Sequence, residues 1–218
     1  MPVGSIRAIT FDVGGTLIEP YPSVGHVYTA AAQQHGFSVP FEQLNERFRS
    51  AWIGKRKFQH TREDWAKLVE ATFGDLVPAG ATAQFFDDLY ERFASPAAWR
   101  VYDDVRPTLK TLKAGGMRLG IISNWDERLR PLLKELGLDQ FFETIVISCE
   151  AAACKPAAAV FQTSARQLGL APKSILHVGD NMREDVEGAK AAGLNALLLD
   201  RSAESSVGVI DSLAELLH

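Results

Sequence analysis

From Asp103 onward, apolar runs alternate with helical segments, and this alternation restricts the possible folds more than any other feature of the chain. Met117 to Ile122, Thr144 to Ser148, Ser174 to Val178 and Leu194 to Leu199 read as short strands. Val105 to Ala114, Leu129 to Leu136, Pro156 to Leu168, Asn181 to Ala192 and Asp211 to Leu217 read as helices, with Gly115-Gly116 and Gly137 as stops. Near-continuous apolar strands need cover on both faces, so the alternation predicts an α/β fold with a doubly wound parallel sheet. Pro156 suits a first helical turn, and Asn181 with Glu184 is placed as a capping box. Pro131 lies too deep for an ideal first position, so a broken or late helix start is expected there.

One further strand precedes this region. Ala8-Ile9-Thr10-Phe11 is an apolar run that ends in Asp12, then Val13-Gly14-Gly15-Thr16. Glycines there allow positive φ and leave room for a ligand. After Ile18, Glu19-Pro20-Tyr21-Pro22 is a stiff connector that cannot continue a strand ladder. Between it and Ser95-Pro96 lie four helical stripes: Val27, Ala31 and Ala32; Leu44, Phe48, Ala51 and Trp52; Trp65, Leu68, Val69 and Phe73; Phe85, Phe86, Leu89 and Phe93. The chain is therefore expected to fold as an α/β core from residues 1–19 and 96–218, with residues 20–95 inserted as a helical domain. That domain should pack mainly on itself and hinge near Glu19-Pro20 and Ser95-Pro96, as a lid would.

Composition excludes several classes of function. At 218 residues with 46% hydrophobic and 23% charged, the chain can bury a sizeable core. A net charge of −4 carries no footprint for nucleic acid, and the one basic run, Lys55-Arg56-Lys57, reads as a solvated helix face. No stretch reaches membrane-spanning length, and Met1 to Arg7 has no apolar signal region. Cys149 and Cys154 match neither a metal nor a redox spacing. The expected setting is cytoplasmic, as a monomer or homodimer.

The strand ends carry the chemistry. The first ends at Asp12, the second runs into Ser123-Asn124, the third is followed by a loop ending Cys154-Lys155-Pro156, and the fourth runs into Gly179-Asp180 through Asp185. Carboxyl ends of neighbouring strands in a doubly wound sheet face one crevice, so Asp12, Ser123, Lys155, Asp180 and Asp185 can converge. Crowded carboxylates repel, and a cation relieves that cost. Hard oxygen ligands suit Mg²⁺. Metal and Lys155 would offset a phosphoryl charge, with Ser123 and backbone N–H groups near Gly14 and Gly15 on its oxygens. Asp12 can then act as nucleophile. Singly, each residue has an ordinary structural reading: a turn, a surface lysine, a first-turn acid. His177, inside an apolar strand, reads as packed and receives no role.

This ordered set resembles the haloacid dehalogenase superfamily over the whole chain. Asp12 to Leu17, Ser123, Lys155 and Gly179-Asp180 through Asp185 match its four motifs. Ser123-Asn124-Trp125-Asp126 and His177-Val178-Gly179-Asp180-Asn181 resemble the haloacid dehalogenase-like hydrolase domain-containing subgroup. The resemblance implies a Rossmann-like core with a helical cap. It also implies Mg²⁺ held by Asp12, the Gly14 carbonyl and Asp180, with Asp185 supporting the water shell. Asp12 and Lys155 would be catalytic; Gly15, Thr16, Ser123, Asn124 and Lys155 would bind a small phosphorylated substrate. One position departs: the phosphatase pattern has a second Asp, the general acid and base, where this chain has Gly14. The expected activity is a slow Mg²⁺-dependent phosphatase. The alternatives are a metal-independent dehalogenase, a phosphonate hydrolase with Lys55 or Lys57 as Schiff base, and a silent binding module. A phospho-receiver domain fits poorly, because its acidic pair follows the first strand.

Overall fold

The computed structural model describes residues 6–55 and 58–217. Arg56 and Lys57, part of the basic run and one of the two Schiff-base candidates, lie outside the described residues. In chain order the main elements are β1 (Ala8–Phe11), β2 (Ile18–Pro20), α1 (Val24–Gln34), α2 (Phe41–Gly54), α3 (Arg62–Phe73), α4 (Phe86–Arg92), β3 (Trp99–Val101) and α5 (Val105–Ala114). Then come β4 (Arg118–Ser123), α6 (Leu129–Glu135), β5 (Thr144–Ile147), α7 (Ser148–Ala151), α8 (Ala158–Leu168), β6 (Ile175–Gly179), α9 (Gly188–Ala191), β7 (Asn195–Leu199) and β8 (Val209–Ile210). The chain divides into two compact units, Met1–Ile18 with Val101–His218, and Glu19–Arg100.

The first unit is built on a six-stranded sheet of order β5-β4-β1-β6-β7-β8, in which every pairing is parallel. β1 is central and fully buried, as its unbroken apolar run requires. The chain continues from β1 to β4 on one side and later returns to β6 on the other. The order therefore reverses at β1, which is where such sheets open a crevice at their carboxyl ends. A core of Ala8, Ile122, Val146, Val160, Phe161, Ala165 and Ile175 lies between the sheet and its helices. The Glu19–Arg100 unit has its own core, in which Tyr28, Leu44, Val69, Phe73, Phe85 and Leu89 bury the expected stripes. Ser23 caps α1, and Thr61 and Asp64 form a capping box on α3.

Several local expectations change. Ile18–Pro20 does form a strand, paired with Trp99–Val101 in a two-stranded sheet. A two-stranded ribbon leaves one side of each strand unpaired, so a proline without N–H is tolerated. α6 starts regularly at Leu129, because Pro131 falls in the first turn, where N–H groups have no helical acceptor. α8 starts at Ala158 rather than Pro156. Pro156 instead packs on Gly188, where a Cβ would come within 2.9 Å of its ring. The last helix is a short 3₁₀ segment, Leu213–Leu217, preceded by an unforeseen strand, β8. Among the described residues no helix is long and apolar enough to cross a membrane. Cys149 and Cys154 are free thiols.

Candidate active site

Phe11 pairs with Val178 and with Ile121, so the chain leaves β1, β6 and β4 side by side at one edge of the sheet. That register brings Asp12, Ser123 and Asp180 together. Ser123 Oγ donates to Asp12 Oδ1 at 2.9 Å. Lys155, buried to 4% exposure, donates through Nζ to Asp12 Oδ1 at 2.7 Å and to Asp185 Oδ1 at 2.6 Å. One oxygen from each of Asp12, Asp180 and Asp185 lies within 4.8 Å of the others. Three carboxylates thus face one lysine, all with hard oxygen donors, which suits a divalent cation such as Mg²⁺. Two glycines make the cluster possible. Gly15 has φ +78°, and a Cβ there would lie 2.3 Å from Asp180 Oδ2; a Cβ on Gly179 would lie 2.2 Å from Asp185 Cγ.

Asp180 and Asp185 are placed by a π-helical turn, Met182–Glu187. The Asn181 side chain accepts from the N–H groups of Arg183 and Glu184. The reach back to the Asn181 N–H comes from Asp185 Oδ2 at 3.0 Å, not from Glu184 as the capping box predicted. Glu184 is engaged elsewhere, accepting from Asn124 Nδ2 at 3.0 Å. π-Turns of this kind gather at functional sites.

Three candidate substrate contacts are directed elsewhere. Asn124 Nδ2 donates to the Lys155 carbonyl at 3.1 Å, and its Oδ1 accepts from the Lys155 N–H at 2.7 Å, so the amide braces the lysine. The Gly15 N–H donates to the Ile18 carbonyl at 2.8 Å and the Thr16 N–H to the Val13 carbonyl at 3.3 Å. In this structure both N–H groups are therefore bonded within the loop. Thr16 Oγ1 is buried, and its carbonyl accepts from Arg201 at 2.8 Å.

His177 is packed as the sequence reading expected, but its polar partners were not foreseen. Its ring is fully buried; Nε2 lies 3.1 Å from Asp185 Oδ1 and Nδ1 lies 2.9 Å from Thr10 Oγ1. Thr10 and His177 are register partners on adjacent strands. The signal was there to read: a polar residue inside each of two apolar runs needs a buried partner. The result is a chain of polar contacts from Thr10 through His177, Asp185 and Lys155 to Asp12.

Burial raises the Asp12 carboxyl above its ordinary value, opposed by Lys155 and reinforced by Asp185. Asp185 is also desolvated, but Lys155 and His177 together hold it well below the carboxylate range. Lys155 is held charged, above its usual value, by its two carboxylate partners despite burial. Asp180 is pushed up to about 7 by desolvation of its carboxyl within the cluster and then by the charges on Asp12 and Asp185, an effect that solvent partly screens because the residue is exposed at the rim. A carboxyl raised in the folded state costs stability as pH climbs from its unfolded value near 4 through about 7. In chelator, Asp180→Asn should therefore melt higher than the parent at pH 8, with no gain at pH 4.5. Equal melting temperatures of the two proteins at pH 8 would refute this.

Comparison with known proteins gives the family of the chain. The model of the haloacid dehalogenase-like hydrolase family matches residues 6–193. Human haloacid dehalogenase-like hydrolase domain-containing protein 3 is 33% identical over 232 residues, covering 97% of this chain and 92% of that one. A HAD phosphatase from Thermococcus onnurineus is 28% identical with a TM-score of 0.70, over 97% of this chain and 96% of that one. The HAD-hydrolase YfnB of Bacillus subtilis, solved bound to magnesium, shares the fold at a TM-score of 0.82 and 17% identity, over 98% and 97% of the two chains. With a parallel sheet that reverses at β1 and a match running from the first strand to Gly193, the chain belongs to the haloacid dehalogenase-like hydrolase family.

Proposed function

We propose that the chain is a Mg²⁺-dependent phosphatase that acts on small phosphorylated metabolites through an aspartyl-phosphate on Asp12. The observation that carries this reading is the setting of Asp12. Its Oδ1 is gripped by Ser123 and Lys155, beside a cluster of carboxylates built to need a cation. Asp12, Asp180 and the Gly14 carbonyl would hold Mg²⁺, with Asp185 supporting its water shell. The ion would neutralise charge on the phosphoryl oxygens.

The chain's own residues do the rest. Ser123 and Lys155 orient the Asp12 carboxylate, and Lys155 offsets phosphoryl charge. An Asp12 oxygen bonds to phosphorus as the ester P–O bond breaks, and the electron pair leaves on the departing oxygen. Water then attacks the phosphorus of the aspartyl-phosphate, freeing phosphate and the Asp12 carboxylate. We assign substrate selection to the helical Glu19–Arg100 unit as a cap, because it has its own core and the chain enters and leaves it along the paired strands β2 and β3.

A phosphoester, phosphonate and haloacid panel, run with Mg²⁺ and with chelator, tests this reading. Phosphoester turnover lost in chelator and a phosphate adduct on the Asp12 peptide are expected. Haloacid turnover that survives chelation would replace phosphatase with dehalogenase. In calorimetry Asp180→Ala should abolish Mg²⁺ binding, and Asp185→Ala should weaken it about 10–100-fold; undiminished affinity in Asp180→Ala would refute the metal assignment.

A further inference from the structure

We propose that Trp125 is a specificity-determining residue, whose indole fills the space beside Gly14 and restricts the site to phosphoryl donors whose leaving group departs without a proton. This rests on the phosphatase reading above. Gly14 and Trp125 each lie two residues beyond one partner of the Asp12–Ser123 hydrogen bond, on loops that leave neighbouring strands in register. A Cβ built on Gly14 would lie 3.2 Å from Trp125 Cζ3 and 3.9 Å from Cη2. Gly14 is not among the positive-φ glycines, so its backbone would accept a side chain. What crowds a side chain there is the edge of the indole's six-membered ring.

The backbone that carries the ring is pinned on both sides of its peptide planes. The Trp125 N–H donates to Ser148 Oγ at 3.0 Å, and the Trp125 carbonyl accepts from Ser148 Oγ at 3.0 Å and from the Cys149 N–H at 3.3 Å. Ser148 is itself buried at the start of α7.

The groups that touch Asp12 or its lysine are already engaged, and Asp180 would be held by the metal ion. Ser123 donates to Asp12, Lys155 is shared between Asp12 and Asp185, and the Asn124 amide holds the Lys155 backbone. Among the described residues of this unit, an aromatic edge stands beside Gly14, where a side chain could otherwise carry a proton donor. The P–O bond must then break with its electron pair left on an oxygen that is stable as an anion and is protonated later by solvent. Acyl phosphates and aryl phosphates meet that condition; alkyl phosphates do not.

The test is the ratio of kcat/KM for ethyl phosphate to that for phenyl phosphate, measured with Mg²⁺ on the parent, Gly14→Asp, Trp125→Ala and the double variant. A positioned acid typically contributes about 10²–10⁴-fold. We expect the ratio to rise at least about tenfold in the double variant and to change less than about threefold in either single one, because the new carboxyl needs the space the indole vacates. Formate should accelerate ethyl phosphate turnover in Trp125→Ala by about threefold or more and leave the parent unchanged, which keeps the test open should the double variant misfold. A rise in Gly14→Asp equal to that in the double variant overturns the inference, as does an absence of both the double-variant rise and the formate effect. If the parent hydrolyses neither ester nor acetyl phosphate, the phosphatase reading itself falls.

Discussion

Asp12→Asn is expected to lower turnover of every phosphorylated substrate by at least about 10⁴-fold, equivalent to roughly 5–6 kcal/mol of barrier. An amide cannot form the covalent intermediate, and the groups around it do not replace it: Ser123 and Lys155 are donors aimed at Asp12. The change keeps the side chain's shape and removes one of three crowded carboxylates, so the fold should survive. Lys155 also keeps its 2.6 Å contact with Asp185. Single-turnover assays combined with a melting curve check both halves. A folded Asp12→Asn protein with activity within tenfold of the parent would show that another group attacks phosphorus.

Lys155→Met should have the largest effect on stability. The lysine bridges Asp12 and Asp185 at 2.7 and 2.6 Å, with its side chain and that of Asp185 almost wholly buried. Leaving a buried partner uncompensated costs about 3–5 kcal/mol, a large share of the 5–15 kcal/mol that holds a typical domain together. The pH dependence should also invert. In the parent, Asp185 lies well below its unfolded value. Its stabilisation is therefore complete above about pH 4 and is lost only as pH falls toward the folded value. Without Lys155, Asp12, already raised by burial, rises further above its unfolded value, while His177 and the Asn181 N–H still support Asp185. The variant should then gain stability as pH falls from 7.5 to 5. Urea unfolding at the two pH values decides this, and a Lys155→Met protein as stable as the parent at pH 7.5 would contradict it.

Much of this site is legible in the sequence. Asp12, Ser123, Lys155, Asp180 and Asp185 stand at or after apolar runs, and a parallel sheet delivers all such ends to one edge whatever the details of its loops. Residues whose partners lie across strands were not legible in the same way. Thr10 and His177 meet because Cα register sets them opposite one another. A shift of one residue would turn one of the two side chains to the other face.

The sequence by itself determined the class of fold, the helical insertion, and the set of polar groups collected at the crevice, because hydrophobic periodicity and strand ends are local properties. Only the tertiary structure decided what each group does there. It closed the Gly15 N–H onto Ile18, turned Asn124 into a brace for Lys155, linked His177 to Asp185 and laid Trp125 against Gly14. These are contacts between segments up to more than a hundred residues apart. They depend on register and loop packing at the scale of an ångström, which no local pattern of residue types encodes.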